Sequence, residues 1–178
     1  MAKAETTGTV GTESVHLVTI DWTRGKWANA KGKYSREHVW HLVGGAKLKA
    51  SDSPALVPKG FQDRTAVNPE NMLVAAISSA HMLSWLNMAF GMGIEVTGYV
   101  DRAHGVMTEI SDGEAWISEV ILQPRITFNP NYDVGTEVIE HLHALAHEHC
   151  FIARSVKAKV TIRPVEPAPK STGVGSGA

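Results

Sequence analysis

The residues with the clearest chemical potential cluster near the end of the chain, where the single cysteine, Cys150, follows His143, His147 and His149 and precedes Arg154. A thiolate is a nucleophile and a metal ligand, and neighbouring His147, His149 and Arg154 can pull a thiol below its ordinary pKa of about 8.5. Against that, Cys150 falls at the end of a helical pattern, where the dipole disfavours an anion. A buried lone cysteine also packs well as a small hydrophobe. His143, His147 and Cys150 recur at i, i+4 and i+7, a spacing that zinc accepts, and His81 from another helix can supply a fourth ligand. Helical histidine pairs are common, so this spacing is a weak signal, and neither a metal nor a cofactor is assigned.

The bulk properties suit one soluble domain. The chain has 178 residues, 43% hydrophobic and 20% charged, with a formal net charge of -1, so it presents no strong field to gather nucleic acid or anionic membrane. Neither partner is expected. The most apolar stretch, Met72 to Met92, is interrupted by Ser78, Ser79, His81, Ser84 and Asn87, which fits a buried amphipathic helix better than a bilayer span. Residues 1–13 lack a continuous apolar segment and read as a flexible arm rather than a signal peptide. One cysteine makes no internal disulfide, so a reducing, cytoplasmic setting is expected.

The elements that must position these groups follow from periodicity. Ser14 to Trp22 alternates as a strand ending near Arg24-Gly25, and His38 to Leu42 with Lys47 to Ala50 forms a hairpin across Gly44-Gly45. A loop with Pro54 and Pro58 leads to Asn68-Pro69-Glu70, an N-cap, a first-turn proline and an acidic residue that open a long helix. Its apolar face is expected to hold Leu73, Ala76, Ile77, Ala80, Leu83, Leu86 and Phe90. Strands follow at Ile94 to Val100, Gly105 to Ile110 and, as one long strand, Ala115 to Phe128. A second helix spans Asp133 to Cys150, with Val138, Leu142, Leu145 and His149 along one face, and Ser155 to Arg163 alternates as a last strand. Strands grouped around two long helices predict an α+β fold with antiparallel sheets. The folded domain is placed at 14–163, with a disordered Pro- and Gly-rich tail at 164–178.

Asn68-Pro69-Glu70 leading to Ala80-His81-Met82-Leu83, together with Ala146-His147-Glu148-His149-Cys150, resembles the OsmC/Ohr family of osmotically inducible and organic hydroperoxide resistance proteins. The resemblance extends from about His16 to Arg163 and points to an OsmC-like branch. It implies an intertwined homodimer with two central helices and a site at the subunit interface. There a peroxidatic cysteine attacks an organic hydroperoxide in oxidative-stress defence, and a dithiol reductant restores the thiols. The family carries that cysteine ten residues after the glutamate, where this chain has Ala80. A methyl group has no lone pair for the attack, so an engineered replacement or a natural loss of peroxidase chemistry is expected.

By the same resemblance Cys150 matches the resolving cysteine and Glu70 the active-site glutamate, which pairs with an arginine. Arg36 is the first choice for that arginine, ahead of Arg24 and Arg64. Glu70 has a second sufficient reason to be there, because a first-turn carboxylate stabilises a helix by about 0.3–1 kcal/mol. His81 fits a hydrogen-bonded core histidine better than a base. Trp22, Trp27, Trp40, Trp85 and Trp116 can pack the core or line an apolar pocket. The expected function is an OsmC-like hydroperoxide-reductase scaffold, inactive or altered at Ala80. The alternative is a non-catalytic protein that binds an apolar, lipid-like ligand at the dimer interface.

Overall fold

The computed structural model describes residues 13–24, 34–53, 63–111 and 113–165. The expected arm, the Gly25 turn, Trp27, the Pro54 and Pro58 loop and nearly all of the expected tail lie outside the described residues. The chain divides into two compact units, one up to Asn68 and one from Pro69 onward.

In the first unit, β1 (Val18–Asp21), β2 (His38–Leu42) and β3 (Lys47–Ala50) form one antiparallel sheet in that order. The expected hairpin is present: Gly44 and Gly45 take φ of 97° and 90°, and Gly45 donates its N–H to the Leu42 carbonyl at 3.1 Å. Only residues without a Cβ adopt two successive positive φ values cheaply, which is why the glycine pair sets the β2–β3 register. The alternation of β1 does not mark a buried face within this chain, because Val18 and Ile20 are both exposed.

The second unit is built on α1 (Pro69–Gly91). It continues with β4 (Val96–Asp101), β5 (His104–Ser111), β6 (Glu114–Leu122), β7 (Pro124–Phe128), α2 (Thr136–His149), α3 (Phe151–Arg154) and β8 (Lys159–Ile162). β4 pairs with β7, and β5–β6–β8 forms a separate sheet. Two expectations are corrected. The long strand Ala115 to Phe128 is two strands in different sheets, because the Gln123 N–H bonds to the Asp101 Oδ1 at 2.6 Å and Pro124 has no N–H to continue a ladder. The sheets are also not wholly antiparallel, since β8 runs parallel to β6 with Val120 opposite Val160. This follows from α2 and α3, which carry the chain back over the sheet before β8 begins.

Helix faces shift as well. On α1 the buried row is Ile77, His81, Trp85 and Ala89, while Leu83 and Phe90, expected inside, are exposed. A strict four-residue spacing drifts only slowly around a helix, so those four side chains stay on the side that meets α2 and the sheet. On α2 the buried residues are Leu142, His143 and Ala146, and His149 faces outward. Trp85, Ala89, Leu142, Ala146, Ile94 and Ile126 form one core cluster, and Ile77, Val120 and Leu122 form a second. By length and composition α1 also meets the criterion for a membrane-crossing helix. Ile77, Trp85 and Ala89 of its buried row are in fact committed to these two cores.

Candidate functional site

Glu70 sits in the first turn of α1, as its sequence context requires, and is half-buried. Its Oε2 is shielded and has no hydrogen-bond partner among the described residues. Ten residues on, Ala80 is half-buried at the edge of the inward row. Cys150 is a free thiol, 1% exposed, at the junction where α2 ends and α3 begins. Two contacts tie this junction to the stretch of α1 around position 80. His81 Nε2 lies 3.0 Å from His143 Nδ1, and Ile152 packs against the cluster containing Ile77. The short helix α3, which fixes Ile152, escaped the sequence reading because four residues are too few to display a period.

His81 and His143 lie with ring centroids 5.3 Å apart and planes within 6° of each other. One imidazole donates to the other, so at least one proton is shared along the N···N line. Burial pushes both down to about 4, with the nearby His147 adding to the effect on His81 and His81 adding to that on His143. Both rings are therefore neutral at pH 7, which makes His81 a hydrogen-bonded core residue. No three His, Cys, Asp or Glu side chains among the described residues converge on a metal-holding geometry.

Arg36 belongs to the first unit. There its Nε lies 3.5 Å from Asp52 Oδ2 and its guanidinium covers the Tyr34 ring at 3.7 Å. Among the tryptophans, Trp85 is fully buried, Trp40 is half-buried and Trp22 and Trp116 are exposed. Trp85 accordingly follows the core reading.

With these positions described, the chain can be set beside known proteins. Residues 61–164, more than half of the chain, match the family described as OsmC-like protein. This chain belongs to the OsmC-like family. An OsmC-like protein of unknown function from Vibrio cholerae is 36% identical, with a TM-score of 0.81 over 86% of this chain and 100% of that one. An organic hydroperoxide resistance protein from Legionella pneumophila shares the fold at 16% identity, with a TM-score of 0.61 over 88% and 100% of the two chains. The corresponding protein of Bacillus subtilis does so at 18% and 0.59, over 86% and 98%. A comparison with curated protein sequences gives no significant match.

Sequence reasoning missed a second feature of this OsmC-like chain. Two residues before Ala80, Ser78 donates to Asp101 Oδ2 at 2.6 Å, and both line a cavity of about 650 Å³ beside α1. The signal for Ser78 was its interruption of an apolar helix. Asp101, at the end of a strand, carried none.

Proposed function

We propose that this chain is an OsmC-type hydroperoxide-reductase scaffold with no peroxidase turnover of its own. The observation that carries the reading is Ala80. The position that offers a thiolate in the family's chemistry holds a methyl group, while the only cysteine, Cys150, is 1% exposed. In the reaction the family resemblance implies, a thiolate sulfur attacks the O–O bond, releasing an alcohol and leaving a sulfenic acid that a second thiol converts to a disulfide. Ala80 supplies neither the electron pair nor a sulfur to oxidise. Glu70 and Cys150 are the residues we assign to the remainder of the arrangement.

The reading includes a homodimer in the reducing cytoplasm, with organic hydroperoxides as the family substrate and a dithiol as reductant. Support for a second copy comes from apolar surface that the single chain leaves open, including Val18 and Ile20 on β1 and Leu83 and Phe90 on α1. The same exposed residues on α1 favour one alternative, a binding protein that holds an apolar ligand without a covalent step. Consumption of cumene hydroperoxide or tert-butyl hydroperoxide with a dithiol reductant tests the main reading. The expected rate equals that of a Cys150→Ser control, and a robust rate abolished in that control overturns it. Native mass spectrometry of the purified protein tests the alternative, for which a co-purifying lipid-like mass is required.

A further inference from the structure

The cavity beside α1 lies on a different flank of the helix from Ala80. Two residues correspond to about 200° of helical rotation, so Ser78 and Ala80 point to nearly opposite sides. The cavity is open to solvent, and its volume of about 650 Å³ falls within the range of small-molecule sites. Val74, Ala75, Met82 and Ala103 give it an apolar lining.

Its polar lining includes Asn71, Ser79 and His104 as well as Ser78, Tyr99 and Asp101. Asp101 uses one oxygen for the Gln123 N–H at 2.6 Å and the other for the Ser78 hydroxyl at 2.6 Å. A carboxylate has about four lone-pair positions, so these two bonds hold it in place without exhausting it. Because the Ser78 proton is committed to Asp101, the Ser78 oxygen faces any ligand as an acceptor. Tyr99 also lines the cavity, and its shielded hydroxyl has no partner among the described residues. Burial and then the Asp101 charge push that phenol upward, so it stays a neutral hydroxyl and adds no second charge. Among the described residues of the lining, Asp101 carries the only fixed charge, with His104 the one other titratable side chain apart from Tyr99.

We propose that this cavity is a binding site for a small primary amine with an apolar body, separate from the Glu70, Ala80 and Cys150 arrangement. An ammonium carries three N–H donors and meets adjacent acceptors here, the Asp101 carboxylate and the Ser78 oxygen that is hydrogen-bonded to it at 2.6 Å. The apolar body lies against Val74, Ala75 and Met82. Carboxylates and phosphates are excluded by the Asp101 charge, and a neutral alcohol of the same shape loses the charge-assisted component.

The test uses the full chain at pH 8, titrated by calorimetry and amide NMR with phenethylamine, 2-phenylethanol and phenylacetate. The amine is expected to bind saturably and to shift the amides of Ser78, Tyr99 and Asp101. The alcohol should bind about 10- to 100-fold more weakly, the scale of a charge-assisted hydrogen bond, and phenylacetate should not bind. Asp101→Asn keeps an acceptor for Gln123 and removes the charge, so it should reduce amine affinity to that of the alcohol. Ala75→Trp, at an exposed position of α1, fills the cavity and should abolish amine binding while the circular dichroism melt stays cooperative. Equal affinity for amine and alcohol overturns the proposal, as does the absence of saturable amine binding. Full amine affinity in a folded Asp101→Asn or Ala75→Trp chain also overturns it.

Discussion

The two sides of α1 treat polar side chains in opposite ways. Toward α2 the helix is dry: His81 and His143 pair with each other and are held neutral, and Trp85 is fully enclosed. Toward β4 and β5 it is wet: Ser78 anchors the carboxylate of Asp101 at the wall of an open cavity. The cost of burying charge explains the division, because a low-dielectric interior retains ionisable groups in their neutral form whereas a solvated wall tolerates a carboxylate. The difference teaches that the two candidate functions of this chain are physically separable. The junction of α2 and α3 holds a buried free thiol, Cys150, and the cavity keeps both a charge and space.

The largest effect expected from breaking this contrast comes from Ala80→Cys. If position 80 and Cys150 share the junction as assigned, the thiol should raise hydroperoxide consumption by roughly 10²-fold or more over the parent chain, the scale on which a reacting or stabilising group in a site is felt. Ala80→Cys combined with Cys150→Ser should then accumulate sulfenic acid, detectable by dimedone labelling and mass spectrometry. No gain in the single variant would remove the assignment of residue 80.

Truncation on the dry side should cost far more than truncation on the wet side. Trp85→Ala empties the main core and is expected to lower unfolding free energy by about 3–5 kcal/mol, a large part of what a domain of this size has. Met82→Ala, half-buried beside the cavity, should cost no more than about 1 kcal/mol. Urea denaturation of the two variants measures both, and similar losses would dissolve the dry and wet distinction.

The histidine pair gives the dry side a pH signature. In the unfolded chain these imidazoles titrate near 6.5, and in the folded protein near 4. Above pH 6.5 neither state binds protons there, so the pair contributes no slope. As pH falls from 6.5 to about 4, the unfolded chain takes up protons that the folded one refuses, and stability declines by a few kcal/mol at most. Urea midpoints at pH 7, 5.5 and 4.5 should fall in that order. His143→Phe should shallow the decline, and an unchanged slope in that variant would show that other groups set it.

Gly105→Ala probes the packing that closes the wet side and should have the smallest effect. A Cβ built there lies 3.0 Å from Val74 Cγ2 and 3.3 Å from Ile117 Cγ2, tighter than ordinary contact on two flanking side chains. Destabilisation of about 1 kcal/mol is expected, the lower end for an overpacked site. A thermal melt at or above that of the parent chain would mean that β5 yields freely from α1.

Local chemistry is legible in the sequence where one residue determines one conformation. Pro69 and Glu70 at the start of α1, the Gly44-Gly45 hairpin and the NPE and AHxxC segments could be read before any coordinate, and they carried the family assignment. The break at Gln123 was not legible, because it depends on a hydrogen bond to Asp101, 22 residues away in the chain. Nor was α3 or the parallel pairing of β8, since neither leaves a local period.

What the sequence determined by itself is the inventory: a long helix opened by Pro69 and Glu70, a single Cys150, and enough strand pattern for an α+β fold. Tertiary structure alone decided which side of α1 is buried, that His143 meets His81, and that Ser78 and Asp101 share a cavity. The physical reason is that helical and strand periods are set by neighbours along the chain, whereas burial, charge state and cavity shape depend on side chains brought together only by folding.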